Sequence, residues 1–389
     1  MASVWLHSAL WLGLALLASL ISIRVAISVA LIEILVGAVA GNLVALQITD
    51  WVNFLAGFGA ILLTFLAGTE IDPRIVRKHF WSSMTIGVMG FVAPYLGVLA
   101  FAHWGIGWDW PQAQIAGIAL STTSVAVVYA VMIETGFNKS EIGKIILAAC
   151  FINDLGTVLA LGIVFAHYDR RLLLFGAVTA TVLLILARYA PWMFRRLGSR
   201  VSEPQTKFVA LILLGLGGLA SVAGSEAVLP AYLVGMALAP TFLSEPELPH
   251  RMRIIAFSIL TPFYFLKAGA LVQAHAVAAA FGLIVVFLGI KLATKFVGIL
   301  PLTVYHEFDS REGMYTTLLM STGLTFGSIS ALFGLTNNII DQGQYTILVT
   351  AVIGSAVLPT LIAQRWFQPQ FKEMSADAAE AEAVAGEEP

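Results

Sequence analysis

Residues 140–166 read SEIGKIILAACFINDLGTVLALGIVFA, an apolar segment with a carboxylate, Asp154, near its centre. A helix needs about 20 residues to cross the ~30 Å hydrocarbon core of a bilayer, and this segment is long enough. The 389-residue chain is 59% hydrophobic and 11% charged, and its mean hydropathy is +0.89. Soluble domains carry charge on about a quarter of their residues. The composition therefore excludes soluble globular and disordered proteins, and we predict an all-α integral membrane protein.

Apolar segments of spanning length recur along the chain, separated by polar, proline-containing or charged breaks. We predict about 13 transmembrane helices, numbered here as spans in chain order, at residues 4–22, 25–44, 51–69, 80–103, 112–134, 140–166, 172–193, 206–224, 227–243, 252–272, 276–303, 313–334 and 342–363. Residues 1–366 would form one transmembrane domain. The alanine- and glutamate-rich residues 367–389 are predicted to form an acidic, flexible cytoplasmic tail.

The positions of the basic residues predict the orientation of the chain. With the N-terminus outside, the cytoplasmic connections and the tail contain 15 of the 21 basic residues, and the opposite side has only Arg170 and Arg171. Cytoplasmic loops of membrane proteins are enriched in lysine and arginine. We therefore predict an external N-terminus and a cytoplasmic C-terminus. The first span has no basic residue before it and is followed by Arg24, so we expect an anchor rather than a cleaved signal peptide.

Asp154 is the deepest ionisable residue in the predicted spans. A charged group at this depth costs at least ~2.5–3.5 kcal/mol and usually serves a function. A buried carboxylate can bind a proton or a dehydrated alkali cation, and the two compete, because burial favours the protonated form and a bound cation the ionised form. The carbonyl oxygen of Asn153 would be a suitable additional ligand. Alternatively, a lysine neutralises Asp154 permanently and locks two helices together.

Two lysines, Lys291 and Lys295, lie four residues apart in span 11 and therefore share one helical face. A lysine at this depth either pairs with a carboxylate or loses its proton. Both are candidate charge partners of Asp154. The one that does not pair would be hydrogen-bonded structurally or would extend its ammonium toward the interface.

Two hydroxyl-rich runs occur where continuous apolar helices would be expected. Span 5 contains Ser121-Thr122-Thr123-Ser124, and span 12 contains Ser321-Thr322-Gly323-Leu324-Thr325-Phe326-Gly327-Ser328. Weak helix formers at corresponding depths in two halves of a transporter indicate broken helices that meet at a substrate site. The two spans are seven apart and so run in opposite directions, as an inverted repeat requires. The alternative is ordinary packing of small residues between membrane helices.

Two further acidic residues lie in or near the spans. Glu33, in span 2, is either a helix-packing carboxyl group or part of a cytoplasmic funnel. Glu70, at the end of span 3, lies close to Arg74 and Arg77 in the sequence. We expect it to be interfacial and structural, with a place in the cytoplasmic funnel as the alternative. The chain has no recognisable catalytic triad, phosphate loop or metal cluster, so we expect a protein that is not an enzyme, with no cofactor and no nucleic-acid partner.

These residues together resemble the bacterial cation:proton antiporter-2 family, the Kef- and Nap-like Na⁺ or K⁺/H⁺ antiporters. The resemblance covers the chain from Glu33 to about Ile362. It rests on five motifs: Phe65-Leu66-Ala67-Gly68-Thr69-Glu70-Ile71-Asp72, Thr122-Thr123-Ser124, Asn153-Asp154-Leu155-Gly156, Lys295-Phe296-Val297-Gly298 and Thr322-Gly323-Leu324-Thr325-Phe326-Gly327.

The resemblance implies a homodimer in the bacterial inner membrane. Dimerisation helices at about 4–69 and 172–272 would flank a mobile core at about 80–166 and 276–363, in which spans 5 and 12 cross as broken helices. Asp154 falls on the essential ion-binding aspartate of the family and would hold the Na⁺ or K⁺, and Lys295 falls on its mid-membrane lysine. The residues expected to complete or line the site are Asn153, Thr122, Thr123, Ser124, Thr322, Gly323 and Thr325.

One departure concerns the stoichiometry of exchange. Electrogenic members of the family carry two adjacent aspartates, whereas this chain has Asn153 before Asp154. The Asn-Asp pair is similar to that of electroneutral members, in which an arginine usually replaces the lysine. We expect electroneutral exchange of one cation for one proton. If Lys295 also cycled its proton, two protons could move per cation.

The predicted function is secondary active exchange of Na⁺, K⁺ or Li⁺ for H⁺ by alternating access. One alternative is a cation-coupled symporter of organic anions on a similar inverted-repeat fold, which would need a larger polar cavity and anion-binding groups. A channel is the other alternative, although broken helices around a titratable residue fit alternating access better. The sequence does not distinguish the three cations, since selectivity depends on cavity geometry.

Overall fold

The computed structural model describes residues 2–25, 28–44, 46–69, 78–134, 137, 140–165, 170–197, 202–223, 227–244 and 247–369. These residues form helices joined by short connections, and no strand occurs among them. The predicted all-α class is therefore confirmed. Glu70 and residues 370–389 of the predicted acidic tail lie outside the described residues.

The helices of the first half are α1 (Ala2–Val25), α2 (Val29–Val44), α3 (Asp50–Thr69), α4 (Phe80–Ala100), α5 (Trp110–Ser121), α6 (Val125–Glu134), α7 (Glu141–Val164) and α8 (Arg170–Leu197). Those of the second half are α9 (Pro204–Val222), α10 (Val228–Ser244), α11 (Glu247–Ile255), α12 (Thr261–Ala270), α13 (Ala274–Ala279), α14 (Phe281–Tyr305), α15 (Ser310–Met320), α16 (Thr325–Thr336) and α17 (Gln342–Ile362). π-Helical turns extend α4 and α17 and connect α11 to α12.

Within the described residues, 10 helices are long and apolar enough to cross a membrane. The chain is therefore a multi-pass membrane protein. Three predicted spans are not among these ten helices. Spans 2 and 9 correspond to α2 and α10, which are apolar but shorter. Span 5 corresponds to α5 and α6, the two halves of an interrupted helix. The number of 13 crossings therefore remains a prediction.

The chain contains an internal structural repeat. The series α4 to α7 recurs as α14 to α17: α6 begins at Val125 and α16 at Thr325, 200 positions later. The helices α5 and α15 both begin with a capping box, formed by Asp109 with Gln112 and by Asp309 with Glu312. Each half of the repeat contains one discontinuous helix, which confirms the predicted inverted-repeat fold.

The helices form two groups according to how they pack. In the first, which we call the crossing group, α4 packs on α5, α7 and α14, and α5 packs on α16; it comprises α4–α7 and α14–α17. In the second, the flanking group of α1–α3 and α8–α12, α2 packs on α12 and α3 packs on α10 and α12. Between the groups, the hydroxyl of Tyr232 on α10 donates a hydrogen bond of 3.0 Å to the carbonyl of Phe151 on α7.

Glycines allow helices of the flanking group to approach each other backbone to backbone. A methyl carbon added at Gly269 of α12 would lie 1.9 Å from the carbonyl oxygen of Ile34 on α2. One added at Gly235 of α10 would lie 2.2 Å from the carbonyl oxygen of Phe65 on α3. Both distances are far below van der Waals contact. Small residues at such contacts are the usual means of packing helices in lipid.

We therefore predict that Gly269→Ala destabilises the protein by about 1–3 kcal/mol, because the two helices must move apart to accommodate the methyl group. Thermal unfolding of the purified protein in detergent measures this effect. The matched control is Gly289→Ala in α14, where the added carbon meets nothing within 4 Å. Equal melting temperatures for the two variants would contradict the packing assigned to α2 and α12.

Candidate ion-binding site

Both predicted breaks are present, and they lie within the crossing group. Helix α5 ends at Ser121, the backbone is extended at Thr122 (φ −64°, ψ 152°), and α6 begins at Val125. The second break separates α15 from α16 and ends at Leu324 (φ −146°, ψ −72°), so it is shorter than the hydroxyl-rich run in the sequence. The side chains of residues 121–124 are fully buried. In lipid, backbone groups released by such a break must find partners inside the protein.

Asn153 on α7 supplies partners to the first break. Its Oδ1 accepts a hydrogen bond of 2.9 Å from the backbone N–H of Thr123. Its Nδ2 donates a longer bond, of 3.4 Å, to the carbonyl of Ser121. The amide thus substitutes for the helical bonds that the extended segment does not make. Asn153 therefore has a structural reason to be next to Asp154, beyond its predicted role as a cation ligand.

The hydroxyl of Thr123 connects the first break to the second. Thr123 Oγ1 donates a hydrogen bond of 2.8 Å to the carbonyl of Met320, the last residue of α15. The same oxygen accepts a bond of 3.1 Å from Nζ of Lys295 on α14. Thr123 therefore links both broken helices to α7 and α14 through three hydrogen bonds.

Lys291 lies at the second break instead. Its Nζ donates to Ser355 Oγ on α17 at 2.8 Å, and Ser355 Oγ lies 3.3 Å from the carbonyl oxygen of Gly323. A methyl carbon at Gly323 would be 2.3 Å from Lys291 Nζ and 2.9 Å from Thr122 Oγ1, so glycine leaves the space for the ammonium. The two lysines thus contact different breaks.

The repeat relates these contacts to Asp154. Asp154 is 13 positions after Glu141, the first residue of α7, and Ser355 is 13 positions after Gln342, the first residue of α17. Ser355 therefore has in the second repeat the position that Asp154 has in the first. A neutral hydroxyl bonded to a lysine stands in one half where a carboxylate stands in the other.

Asp154 is 1% exposed and lines a cavity of about 240 Å³. The cavity lies between the crossing group and the flanking group, and its other lining residues are Leu63, Leu66, Ala67, Val125, Tyr129, Arg253, Phe257, Thr325 and Phe326. Asp154 is the one carboxylate among the described residues that line this cavity, so it is the acidic ligand that these residues offer to a cation.

The half-helix ends favour a negative charge in this cavity. Val125 and Thr325 are the first residues of α6 and α16, and both line the Asp154 cavity. Helix N-termini carry a partial positive charge and stabilise anions. Lys295 also interacts electrostatically with Asp154. The site therefore combines one deep carboxylate with two helix N-termini and a buried ammonium.

The structure gathers most of the predicted site residues around the two breaks. Asn153, Thr123 and Lys295 form the network above, and Thr325 lines the Asp154 cavity. The remaining hydroxyl-bearing residues are buried in the breaks, where Thr122 Oγ1 donates to the carbonyl of Ala119 and Thr322 Oγ1 to that of Leu319. Ser124 is buried next to them.

The structure does not place Glu33 at the site. Its side chain is buried in α2, in the flanking group, and it is not among the residues that line the Asp154 cavity. Conversely, no pattern in the sequence pointed to Ser355, Tyr129 or Arg253 as residues near the site. Ser355 is one of several hydroxyls in an apolar span, and Arg253 counted only as a marker of the cytoplasmic side.

Residues 12–368 match the family model described as sodium/hydrogen exchanger, transmembrane. The chain belongs to the sodium/hydrogen exchanger family. This finding confirms the resemblance drawn from the sequence motifs, and the family is one of transporters. Among related proteins, "Probable Na(+)/H(+) antiporter 3" of Methanocaldococcus jannaschii is 25% identical over 86% of this chain and 88% of that protein. "Na(+)/H(+)-K(+) antiporter GerN" of Bacillus cereus is 23% identical over 92% of this chain and 95% of its own length.

A solved structure shows the same fold. The sodium proton antiporter MjNhaP1 from Methanocaldococcus jannaschii superposes with a TM-score of 0.68, covering 98% of this chain and 97% of that chain at 14% identity. At this identity the similarity concerns the fold alone. It agrees with the inverted repeat and the crossed discontinuous helices described above.

We predict that Asn153→Ala lowers the free energy of unfolding by about 1–3 kcal/mol, because it leaves the buried N–H of Thr123 without its acceptor. Thermal unfolding in detergent measures the change. Asn337→Ala is the matched control, since the Asn337 amide bonds to its own helix at an exposed position. A loss no larger than that of the control would show that Asn153 does not hold the break.

Proposed function

We propose that this protein is a secondary active antiporter that exchanges a monovalent cation, Na⁺ or K⁺, for H⁺ by alternating access. The observation that carries the proposal is a single buried carboxylate, Asp154, in a cavity lined by the first residues of both half-helices. Family membership and the names of the relatives, which include Na⁺/H⁺ and K⁺ antiporters, support the same exchange. Li⁺ is a further candidate substrate.

In the proposed cycle, the cation and the proton compete for Asp154. Each of them neutralises the carboxylate, and each therefore excludes the other from the site. The cation would be held by Asp154 together with oxygen atoms of Asn153, Thr123 and the carbonyls of the breaks. The proton would occupy Asp154 when the cation leaves, so that one ligand crosses in each direction.

Lys295 is the proposed charge partner of Asp154. Its ammonium bonds to Thr123 Oγ1, an oxygen that the bound cation would use. Arrival of the cation would therefore displace the ammonium from Thr123, and its departure would restore the bond. Lys291 is assigned a structural role, because Ser355 holds its ammonium at the other break.

The proposal extends to the organisation of the domains. The crossing group would be the mobile core and the flanking group the dimerisation domain of a homodimer. The flanking helices α1 and α8 expose apolar side chains, including Leu16 and Leu184, which are suited to lipid or to a second copy. The proposed orientation, with an external N-terminus and a cytoplasmic C-terminus, is supported by the distribution of basic residues. The proposed location in a bacterial inner membrane is supported by the resemblance to the antiporter family.

The organic-anion symporter receives no support from the site. An organic anion requires a polar cavity with cationic groups at its centre, whereas apolar side chains form most of the Asp154 cavity. The relatives named above are antiporters, and none is described as a symporter.

Asp154→Asn is expected to abolish cation-dependent proton movement, because the amide can neither release a proton nor neutralise a cation. Proton flux in proteoliposomes, with Na⁺, K⁺ and Li⁺ tested in turn, measures this. The control is Asp309→Asn at the N-cap of α15, where asparagine caps a helix as well as aspartate does. Exchange that persists in Asp154→Asn would refute the proposed function.

The stoichiometry is tested separately. One carboxylate that exchanges one proton for one monovalent cation moves no net charge. We therefore expect wild-type protein on solid-supported membranes to give no sustained transport current under conditions in which the proteoliposome assay shows exchange. A current that scales with the exchange rate and disappears in Asp154→Asn would establish electrogenic transport instead.

A further inference from the structure

Three side chains at the start of α17 bond to the connection between α12 and α13. Gln342, Tyr345 and Thr346 are at positions i, i+3 and i+4 of α17, so they share one helical face. Their partners are backbone groups between Ala268, near the end of α12, and Gln273, just before α13. We call these side chains and their backbone partners the clasp. The chain passes from the flanking group to the crossing group through this connection.

Tyr345 makes the most deeply buried bond of the clasp. Its hydroxyl donates a hydrogen bond of 2.7 Å to the carbonyl of Ala268, and both residues are fully buried. The last four carbonyls of a helix have no partner within that helix, and Ala268 is the third residue from the end of α12. A side chain of the crossing group therefore caps a helix of the flanking group.

The other two bonds of the clasp lie just beyond the end of α12. The Gln342 amide donates a hydrogen bond to the carbonyl of Leu271. The Thr346 hydroxyl accepts one of 3.2 Å from the backbone N–H of Gln273, and it donates to the carbonyl of Gln342 in its own helix at 2.9 Å. Side chains of α17 thus bond to backbone groups that the end of a helix leaves without partners.

The two sides of the clasp are fixed to different groups of helices. Asn42 on α2 donates to the carbonyl of Val272 at 2.7 Å and accepts from the N–H of Ala274 at 3.0 Å, so it holds the connection to the flanking group. On the other side, the Gln344 amide of α17 donates to Gln112 of α5 at 3.0 Å, which holds the start of α17 in the crossing group. The bonds of the clasp therefore cross from one group to the other.

The clasp and the Asp154 cavity lie at opposite ends of one helix. The π-helical turn between α11 and α12 makes residues 247–270 a continuous helix. Arg253 of this helix lines the Asp154 cavity, whereas the clasp bonds at Ala268, about 22 Å farther along the axis. A second cavity, of about 220 Å³ and lined by Lys267, lies at the clasp end, and Asp154 is not among the described residues that line it.

We propose that the clasp is a gate that holds one face of the transporter closed while the Asp154 cavity is open at the other. This inference rests on the proposed function. In alternating access one group of helices moves against the other around the binding site, so bonds between the groups have to break in each cycle. The clasp consists of such bonds, at the end away from the Asp154 cavity. In the proposed orientation this end is the outer face.

The clasp biases the equilibrium between the two states of the transporter. Its bonds are present only while it is closed, so the loss of one bond favours the state in which Asp154 faces the clasp end. The net contribution of one hydrogen bond corresponds to a change of about two- to tenfold in the ratio of the two states. A cation that arrives at the clasp face binds only the open state, and its apparent affinity rises with the population of that state. At the other face the competent state already predominates, so the apparent affinity there changes little.

The test measures the apparent KM for Na⁺ and for K⁺ at each membrane face, in right-side-out and in everted vesicles. Tyr345→Phe removes one hydroxyl of the clasp and keeps the ring, and Thr346→Val removes the other hydroxyl. Each variant is expected to lower the KM about two- to tenfold at the clasp face and to leave it unchanged at the opposite face. An unchanged KM at the clasp face, or an equal change at both faces, would overturn the inference.

Two controls separate the gate from an effect on stability. Thr360→Val removes a hydroxyl that bonds within α17, to the carbonyl of Ala356 at 2.7 Å, and Tyr305→Phe alters an exposed tyrosine. Both should retain the wild-type KM at both faces. Thermal unfolding in detergent measures the stability of each variant. A contact that only stabilises the fold would lower the melting temperature of Tyr345→Phe without a difference between the two faces.

A cross-link tests whether the clasp has to open. Gln273→Cys and Thr346→Cys in one chain place two thiols at the third bond, and a short bifunctional methanethiosulfonate reagent joins them. Because Asn42 holds one side and Gln344 the other, the joined protein should stop exchanging, and dithiothreitol should restore exchange. Each single cysteine variant controls for the reagent, and the native Cys150 is buried. Exchange that continues at the untreated rate in the joined protein would contradict the gate.

The proposed function is tested independently by Asp154→Asn. If that variant still exchanges cations for protons, the proposed function fails and the gate fails with it. If Asp154→Asn is inactive while the clasp variants and the cross-link leave transport unaltered, only the gate fails.

Discussion

A backbone that leaves the helical path inside a membrane must replace the hydrogen bonds it gives up, and the structure depends on how that requirement is met at residues 122–124. Asn153 Oδ1 accepts a hydrogen bond from the backbone N–H of Thr123. The Thr123 hydroxyl donates a hydrogen bond to the carbonyl of Met320, the last residue of α15. Because these bonds join α7 to both broken helices, the break is part of the packing of the crossing group. The same bonds hold the first residues of α6 and α16 beside Asp154, where their partial positive charges favour an anion.

The repeat gives the two halves equivalent frameworks and different chemistry. In the first half, α7 presents Asp154 to a cavity. In the second half, α17 presents Ser355, and a lysine on α14 donates its ammonium to that hydroxyl. The position in α4 that corresponds to Lys291 is Gly90, ten residues after the start of its helix in both cases. One half therefore pairs a lysine with a neutral hydroxyl, and the other has the carboxylate of Asp154 and a glycine at the position of that lysine.

The sequence predicted the class of fold, which the structure confirms, and it predicted Asp154 as the centre of the site, which stays a prediction; both rest on physical reasons. The low fraction of charged residues predicts a membrane protein. Burying an ionisable group such as Asp154 at mid-membrane has a high free-energy cost, and such groups usually serve a function. Weak helix formers in both halves predict the breaks, although Leu324 ends the second one earlier than its hydroxyls suggest. Ser355 and Arg253 could not be predicted, because their importance comes from tertiary contacts and from the cavity they line. Glu33 lies inside predicted span 2, but its helix packs on α12, and Glu33 is not among the residues that line the Asp154 cavity.

In the proposed transport cycle, the hydrogen bond between Lys295 and Thr123 would let the occupancy of Asp154 affect the whole crossing group. Thr123 Oγ1 has one proton to donate and accepts from one ammonium, and its donor bond ends on Met320 of the other broken helix. A movement of the ammonium would change the forces on Thr123 Oγ1, which lies in the first break and is hydrogen-bonded to α14 and α15. Since close-packed interiors transmit such displacements, the two broken helices would respond together in the proposed cycle. A neutral network in place of Lys295 would hold the break equally well but would not sense the charge on Asp154.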